Sequence, residues 1–131
     1  MKKLLYCLTL ALIIPFASCT KETTYTFINN ADFSVITLPM VNQTFHLIEY
    51  DQSGSRIADN TIDFPSIGKG YTFTASDRSE KIKVYFSIRY QDENQTVDYY
   101  RWIQIVYYLE KGKDITIQLD GSTLVGTEEP Q

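Results

Sequence analysis

Ten consecutive residues, Lys81 to Tyr90, alternate in polarity along almost their whole length. Ile82, Val84, Phe86, Ile88 and Tyr90 fall on one face, and Lys81, Lys83, Ser87 and Arg89 on the other. Side chains alternate across a strand and repeat every 3.6 residues in a helix, so this stretch specifies a strand with one face buried. Shorter runs repeat the pattern at Tyr25–Ile28, Phe33–Leu38, Thr44–Tyr50, Arg56–Ala58, Tyr71–Ala75, Asp114–Leu119 and Thr123–Val125. Turn-forming residues separate them: Asn29-Asn30-Ala31-Asp32, Asp51–Ser55, Gln91–Gln95, Glu110–Lys113 and Asp120-Gly121. Pro39 cannot donate to a ladder and closes the run before it. Asp59–Gly70, with Pro65, Gly68 and Gly70, reads as the longest loop. Residues 25–125 are therefore expected to form an all-β domain, a single antiparallel β-sandwich of about seven strands.

One run departs from simple alternation. Val97–Leu109 is apolar on both faces. If it forms a hairpin with Asp114–Leu119 through Glu110–Lys113, then Ile103, Ile105, Tyr107 and Leu109 turn inward. Tyr100, Trp102, Val106 and Tyr108 are left on the far side, where the preceding strand brings Tyr85 near Trp102. Two outcomes follow. In the simpler one, a loop covers these rings and makes them a satellite core. In the other they stay open, and Tyr85, Tyr100, Trp102 and Tyr108 form a recognition face for a glycan or a protein.

The N-terminus carries a different signal. Lys2 and Lys3 precede an apolar run from Leu4 to Phe16, and Ala17-Ser18-Cys19 follows. Thirteen residues of helix cover roughly 20 Å, short of a hydrocarbon core of about 30 Å, which favours a cleaved signal over a permanent span. Phe16-Ala17-Ser18-Cys19 resembles the lipobox of bacterial lipoproteins, with Phe16 where an aliphatic residue is more usual. The resemblance implies that residues 1–18 are removed, that Cys19 is lipidated, and that residues 19–24 form a tether holding the domain to a membrane. Thr20, where enterobacterial lipoproteins retained at the inner membrane carry aspartate, points by the same resemblance to the outer membrane of the cell envelope, on its periplasmic or its surface side. The arrangement of turns and late aromatic strands is similar in style to small Bacteroidota envelope lipoproteins, a resemblance that brings no activity with it. Residues 126–131 read as a flexible tail.

Removing residues 1–18 takes away two lysines and leaves ten basic against sixteen acidic residues, a net charge of −6. That balance argues against nucleic acid as a partner. Of the two cysteines, Cys7 leaves with the signal and Cys19 is committed to lipid, so the domain is expected to hold together without a disulfide.

Signs of catalysis are sparse. His46 is the chain's one histidine, and no Gly-x-Ser-x-Gly elbow occurs. A small hydrolase would have to be built on His46 or on a pair of carboxylates. One histidine cannot anchor zinc. Asp51, Asp59 and Asp63 are oxygen ligands of the kind calcium takes, although Asx turns use the same residues. No glycine pattern for nucleotide phosphates is present, and no cofactor is expected. The expectation is a non-enzymatic, lipid-anchored recognition module, with a structural or accessory subunit of an envelope complex as the alternative.

Overall fold

The computed structural model describes residues 21–131. Residues 1–20, including Cys19 and the expected cleavage point, lie outside the described residues. Eight strands follow in order: β1 (Thr24–Asn29), β2 (Met40–Tyr50), β3 (Arg56–Asp63), β4 (Gly70–Thr74), β5 (Lys81–Gln91), β6 (Thr96–Tyr108), β7 (Asp114–Leu119) and β8 (Val125–Gly126). They form two sheets, β4-β1-β7 and β3-β2-β5-β6-β8. The sheets enclose one core, and the domain is an all-β sandwich. Every pairing is antiparallel except β1 with β7, which run parallel.

The parallel pair changes the reading of residues 110–113. They were expected to close a hairpin between β6 and β7, but β6 pairs with β5 and β8 while β7 pairs with β1. The segment is a crossover between sheets. Its ends are held by Leu109 N–H on the Glu80 carbonyl (2.9 Å) and Thr24 N–H on the Lys113 carbonyl (3.2 Å). Alternation within β6 and β7 is equally compatible with either partner, which is why the pattern alone did not separate them.

Two further segments differ. Residues 33–38 form no strand. Phe33 and Leu38 both pack against the core, yet residues five apart point to opposite faces of a strand, so the chain has to turn between them. Asp32 accepts from Ser34 N–H (2.9 Å) and starts that turn. Residues 59–63, expected as loop, instead continue β3 along the edge of the larger sheet. Ile62 points inward beside Phe45, and Asp59, Thr61 and Asp63 point out, a composition suited to an edge that must not recruit other strands.

The inward face of β5 is the one the alternation specified: Ile82, Val84, Phe86, Ile88 and Tyr90 are all buried. Phe86 stacks on Phe33 (4.5 Å between ring centroids) and lies against Phe45 (5.5 Å), which meets Phe27 of the other sheet (5.1 Å). Each such ring contributes about 1.5–3 kcal/mol by leaving water, and aromatic pairs add somewhat more.

One inward position is charged. Glu49 follows Phe45 and Leu47 into the core and is 1 % exposed. Its Oε2 accepts from the Tyr25 hydroxyl (3.0 Å) and the Asn60 amide (3.0 Å); its Oε1 accepts from Ser76 N–H (2.8 Å) and the Ser79 hydroxyl. The carboxylate thus ties β1, β2, β3 and the 75–80 loop together at one end of the sandwich. Burial, reinforced by the neighbouring Glu49 charge, raises the Tyr25 phenol well above its ordinary value.

Candidate functional site

The outward face of the five-stranded sheet carries the aromatic residues singled out above. Register places His46 of β2, Tyr85 of β5 and Trp102 of β6 in one row across the strands. The His46 and Tyr85 rings stack at 4.2 Å with 10° between planes, and Tyr85 meets Trp102 at 5.1 Å and 40°. Tyr100 lies in the adjoining row opposite Ser87 and is 55 % exposed. Trp102 is half-buried, with the Arg56 guanidinium 5.8 Å from its ring. Burial, helped by the Asp59 charge, raises the Tyr85 phenol above its ordinary value.

Tyr108 shares the face but not the cluster. Between Trp102 and Val106 the β6 strand carries two more residues than β5 has between Tyr85 and Lys83, a bulge. Because the excess is even, Val106 and Tyr108 stay on the outward face. Ile105, expected inward, is bulged out and 44 % exposed. Tyr108 pairs with Lys81 at the far end of the strand and is 65 % exposed. The structure therefore brings together Tyr85, Trp102 and Tyr100, adds His46 to them, and leaves Tyr108 apart. His46 was read from sequence as an isolated strand histidine; only the β2–β5 register reveals it as part of the row.

Between the Tyr108 end and the aromatic row the face is covered. Ile48 (1 % exposed), Lys83 (7 %) and Tyr50 (3 %) all point outward yet are buried. The chain beyond β8 supplies the cover. Glu129 Oε1 accepts from the Tyr50 hydroxyl (2.6 Å) and Lys83 Nζ (3.1 Å), and its Oε2 lies 3.4 Å from Arg56 Nη2. The Gln104 amide donates to the Glu128 carbonyl (2.9 Å), and Pro130 is buried. Burial alone would raise the Glu129 pKa; the bonds from Tyr50 and Lys83 and the charges of Lys83 and Arg56 outweigh it and hold the carboxyl below its ordinary range. Burial and the bond to Glu129 push the Tyr50 phenol up to about 12. The local pattern carries no sign of this docking, because the partners of Glu129 lie 46 to 79 positions away.

The calcium candidates do not converge. Asp51 caps its own turn, accepting from Ser53 N–H (2.9 Å) and Ser55 N–H (3.0 Å). Asp59 lies 3.2 Å from His46 Nδ1, and Asp63 accepts from the Thr44 hydroxyl (2.7 Å). Among the described residues no group of three or more His, Cys, Asp or Glu side chains is placed to hold a metal ion. His46 and Asp59 form a base-and-orienter pair, but among the described residues no nucleophilic hydroxyl is hydrogen-bonded to the His46 ring, which stacks on Tyr85. Two open hollows, lined by Asp51, Gln52, Ser53, Arg78 and Glu80 and by Lys21, Glu22, Thr23, Asp77, Lys111 and Gly112, both lie at the other end of the sandwich from Tyr100. No helix among the described residues is long and apolar enough to cross a membrane.

No family model, curated protein or solved structure matches this chain.

Proposed function

We propose that this protein is a lipid-anchored, non-enzymatic envelope component that recognises another protein through Tyr100, Trp102 and Tyr85. The observation that carries the choice of protein over glycan is ring orientation. A sugar stacks on an aromatic ring that offers its broad face. Here His46 and Tyr85 cover each other's faces, Tyr85 tilts against one side of Trp102, and the Arg56 guanidinium also lies near the indole. The rings thus form a ridge whose faces are largely taken by one another, beside an exposed tyrosine and an arginine. Clusters of Trp, Tyr and Arg are the usual energetic centre of protein interfaces.

The proposed anchor fits this use of the face. Lys21 is already bound to the domain, its Nζ 3.3 Å from Asp114, and Thr23 accepts from Gly112 N–H (2.9 Å). With lipid on Cys19, two residues separate the bilayer surface from Lys21, a reach of about 7 Å at 3.3–3.6 Å each. The end bearing Lys21, Asp77 and Gly112 would then sit on the membrane. Tyr100 and Trp102, toward the opposite end of β6, would stand clear of it. The alternative, an accessory subunit joined through sheet edges, uses β7 or β4 in place of this ridge.

Mild-detergent extraction and co-purification test the reading. The wild-type chain should retain a stoichiometric partner and begin with a lipidated Cys19 by mass spectrometry. Tyr100→Ala, at a half-exposed position, should release that partner while melting at the wild-type temperature. Retention of the partner by Tyr100→Ala together with Trp102→Ala would contradict it.

A further inference from the structure

The segment covering the outward face is held in an unusual way. Leu124 and Val125 are 72 % and 38 % exposed, so the apolar residues leading into it do not anchor it. Pro130 is buried and the Glu128 carbonyl accepts from the Gln104 amide, but every side-chain contact with the sheet beneath converges on a single carboxylate, that of Glu129. Beneath it lies a cleft prepared for an anion. The Lys83 side chain is 8 % exposed near the start of the central strand β5, its Nζ 4.7 Å from the centre of the Tyr50 ring, and the Tyr50 hydroxyl points at the same oxygen. Arg56 completes the cleft and also lies over Trp102, so cleft and aromatic ridge share a residue.

If the segment were only a cover, apolar residues would seal Ile48 at least as well as a buried lysine paired to a carboxylate. A cationic cleft closed by one carboxylate is instead open to exchange, because any extended chain with a glutamate at the right place can make the same contacts. We propose that the Tyr50–Arg56–Lys83 cleft is a binding site for an extended acidic segment of the partner protein, and that residues 127–131 are its intramolecular occupant. The inference rests on the protein-recognition reading only for the nature of the partner. The partner's segment displaces the tail, seats its carboxylate on Lys83 and Tyr50, and draws Arg56 along the edge of Trp102. The tail therefore sets a threshold. A tethered occupant acts at an effective concentration in the millimolar range, and a competitor must exceed that advantage to enter.

The test uses the full chain and a blocked peptide of the tail sequence, Thr-Glu-Glu-Pro-Gln, followed by Trp102 fluorescence and by chemical shifts of β2 and β5. Glu129→Gln releases the resident carboxylate, so this variant should bind the peptide at least tenfold more tightly than wild type. A peptide with glutamine for its second glutamate should lose that gain, and Lys83→Met in the Glu129→Gln background should abolish it. Equal affinity of wild type and Glu129→Gln, or binding that survives Lys83→Met, overturns the proposal. Should Glu129→Gln not fold, Gly126→Ala loosens the tail at its other bond and should tighten peptide binding in the same direction by a smaller factor, with no gain overturning the proposal. An added Cβ would lie 2.8 Å from Gln104 Nε2, displacing the amide that holds the Glu128 carbonyl and leaving the cleft intact. Wild-type dimers that vanish on Glu129→Gln would assign the cleft to a second copy's tail and also overturn it. Peptide binding here is independent of partner retention by Tyr100→Ala, so the two readings fail separately.

Discussion

Glutamine at position 49 should cost this domain a sizeable part of its stability, although it changes neither shape nor volume. Both oxygens of Glu49 face two donors each. Glutamine retains one oxygen and puts an N–H₂ in place of the other. Placed at Oε1, that nitrogen meets Ser76 N–H, which cannot rotate away. Placed at Oε2, it meets the Tyr25 hydroxyl and Asn60; the clash is relieved only if Asn60 turns over its amide and the hydroxyl reverses to donate to it, which leaves the Asn60 N–H₂ without either of its acceptors. In either case one buried donor loses its acceptor, at about 1–3 kcal/mol, and the remaining bonds fall from charge-assisted to neutral strength at about 1 kcal/mol each. Glutamine is cheaper to dehydrate than a carboxylate, which offsets part of the loss. The net is a destabilisation of about 2–4 kcal/mol, against a typical total of about 5–15. Urea unfolding followed by Trp102 fluorescence and circular dichroism measures it; the melting temperature should fall by about 10–20 °C. A cycle with Asn60→Ala should show a coupling of at least about 1 kcal/mol. If Glu49→Gln shifts stability by less than about 0.5 kcal/mol, the four-donor site is not a stabilising feature and the argument fails.

Tyr107→Phe should act in the opposite sense: among the described residues the Tyr107 hydroxyl is buried without a partner, so its removal should leave stability unchanged or raise it by up to about 1 kcal/mol in the same unfolding assay. Acid should release the segment over the outward face. Glu129 is held below its ordinary value of 4.5, so its contribution is present above that value and is lost as pH falls through the lower folded value. Chemical shifts of residues 127–131 should move toward random-coil values below about pH 4.5 before the core strands open. Alkali acts through Tyr50, whose phenol rises from 10.0 to about 12, so its contribution is intact below pH 10 and lost toward pH 12. Absorbance titration of wild type against Tyr50→Phe should show one late-ionising phenol missing in the variant.

What the amino-acid pattern discloses by itself divides along physical lines. Period-two alternation marked β5 and β7 closely, and it identified the inward face of β5 residue by residue, because burial on one side of a sheet imposes that period. Alternation carries no information about which strand lies beside which. Hence β6 and β7, neighbours in sequence, were placed in one hairpin although they belong to different sheets. Asp59, Asn60 and Asp63 looked like loop residues because their types favour turns, whereas at a sheet edge the same residues serve as outward polar positions, and Asn60 as an inward donor to Glu49. The candidate site was legible as far as Tyr85 beside Trp102, since that contact follows from local pairing of β5 and β6. His46 entered the row only through the β2–β5 register. Glu129 entered through contacts spanning most of the chain, which no local pattern encodes.

A protein partner that engages the ridge of Tyr85, Tyr100 and Trp102 must come within bonding distance of position 100. A photo-crosslinking amino acid placed at position 100 in the producing cell tests it most directly, with Thr72, exposed on the other sheet, as the control position. One discrete adduct is expected from position 100, absent from position 72 and lost when Trp102→Ala is added. Adducts of equal yield from both positions, or an adduct from position 100 that persists in Trp102→Ala, would contradict it.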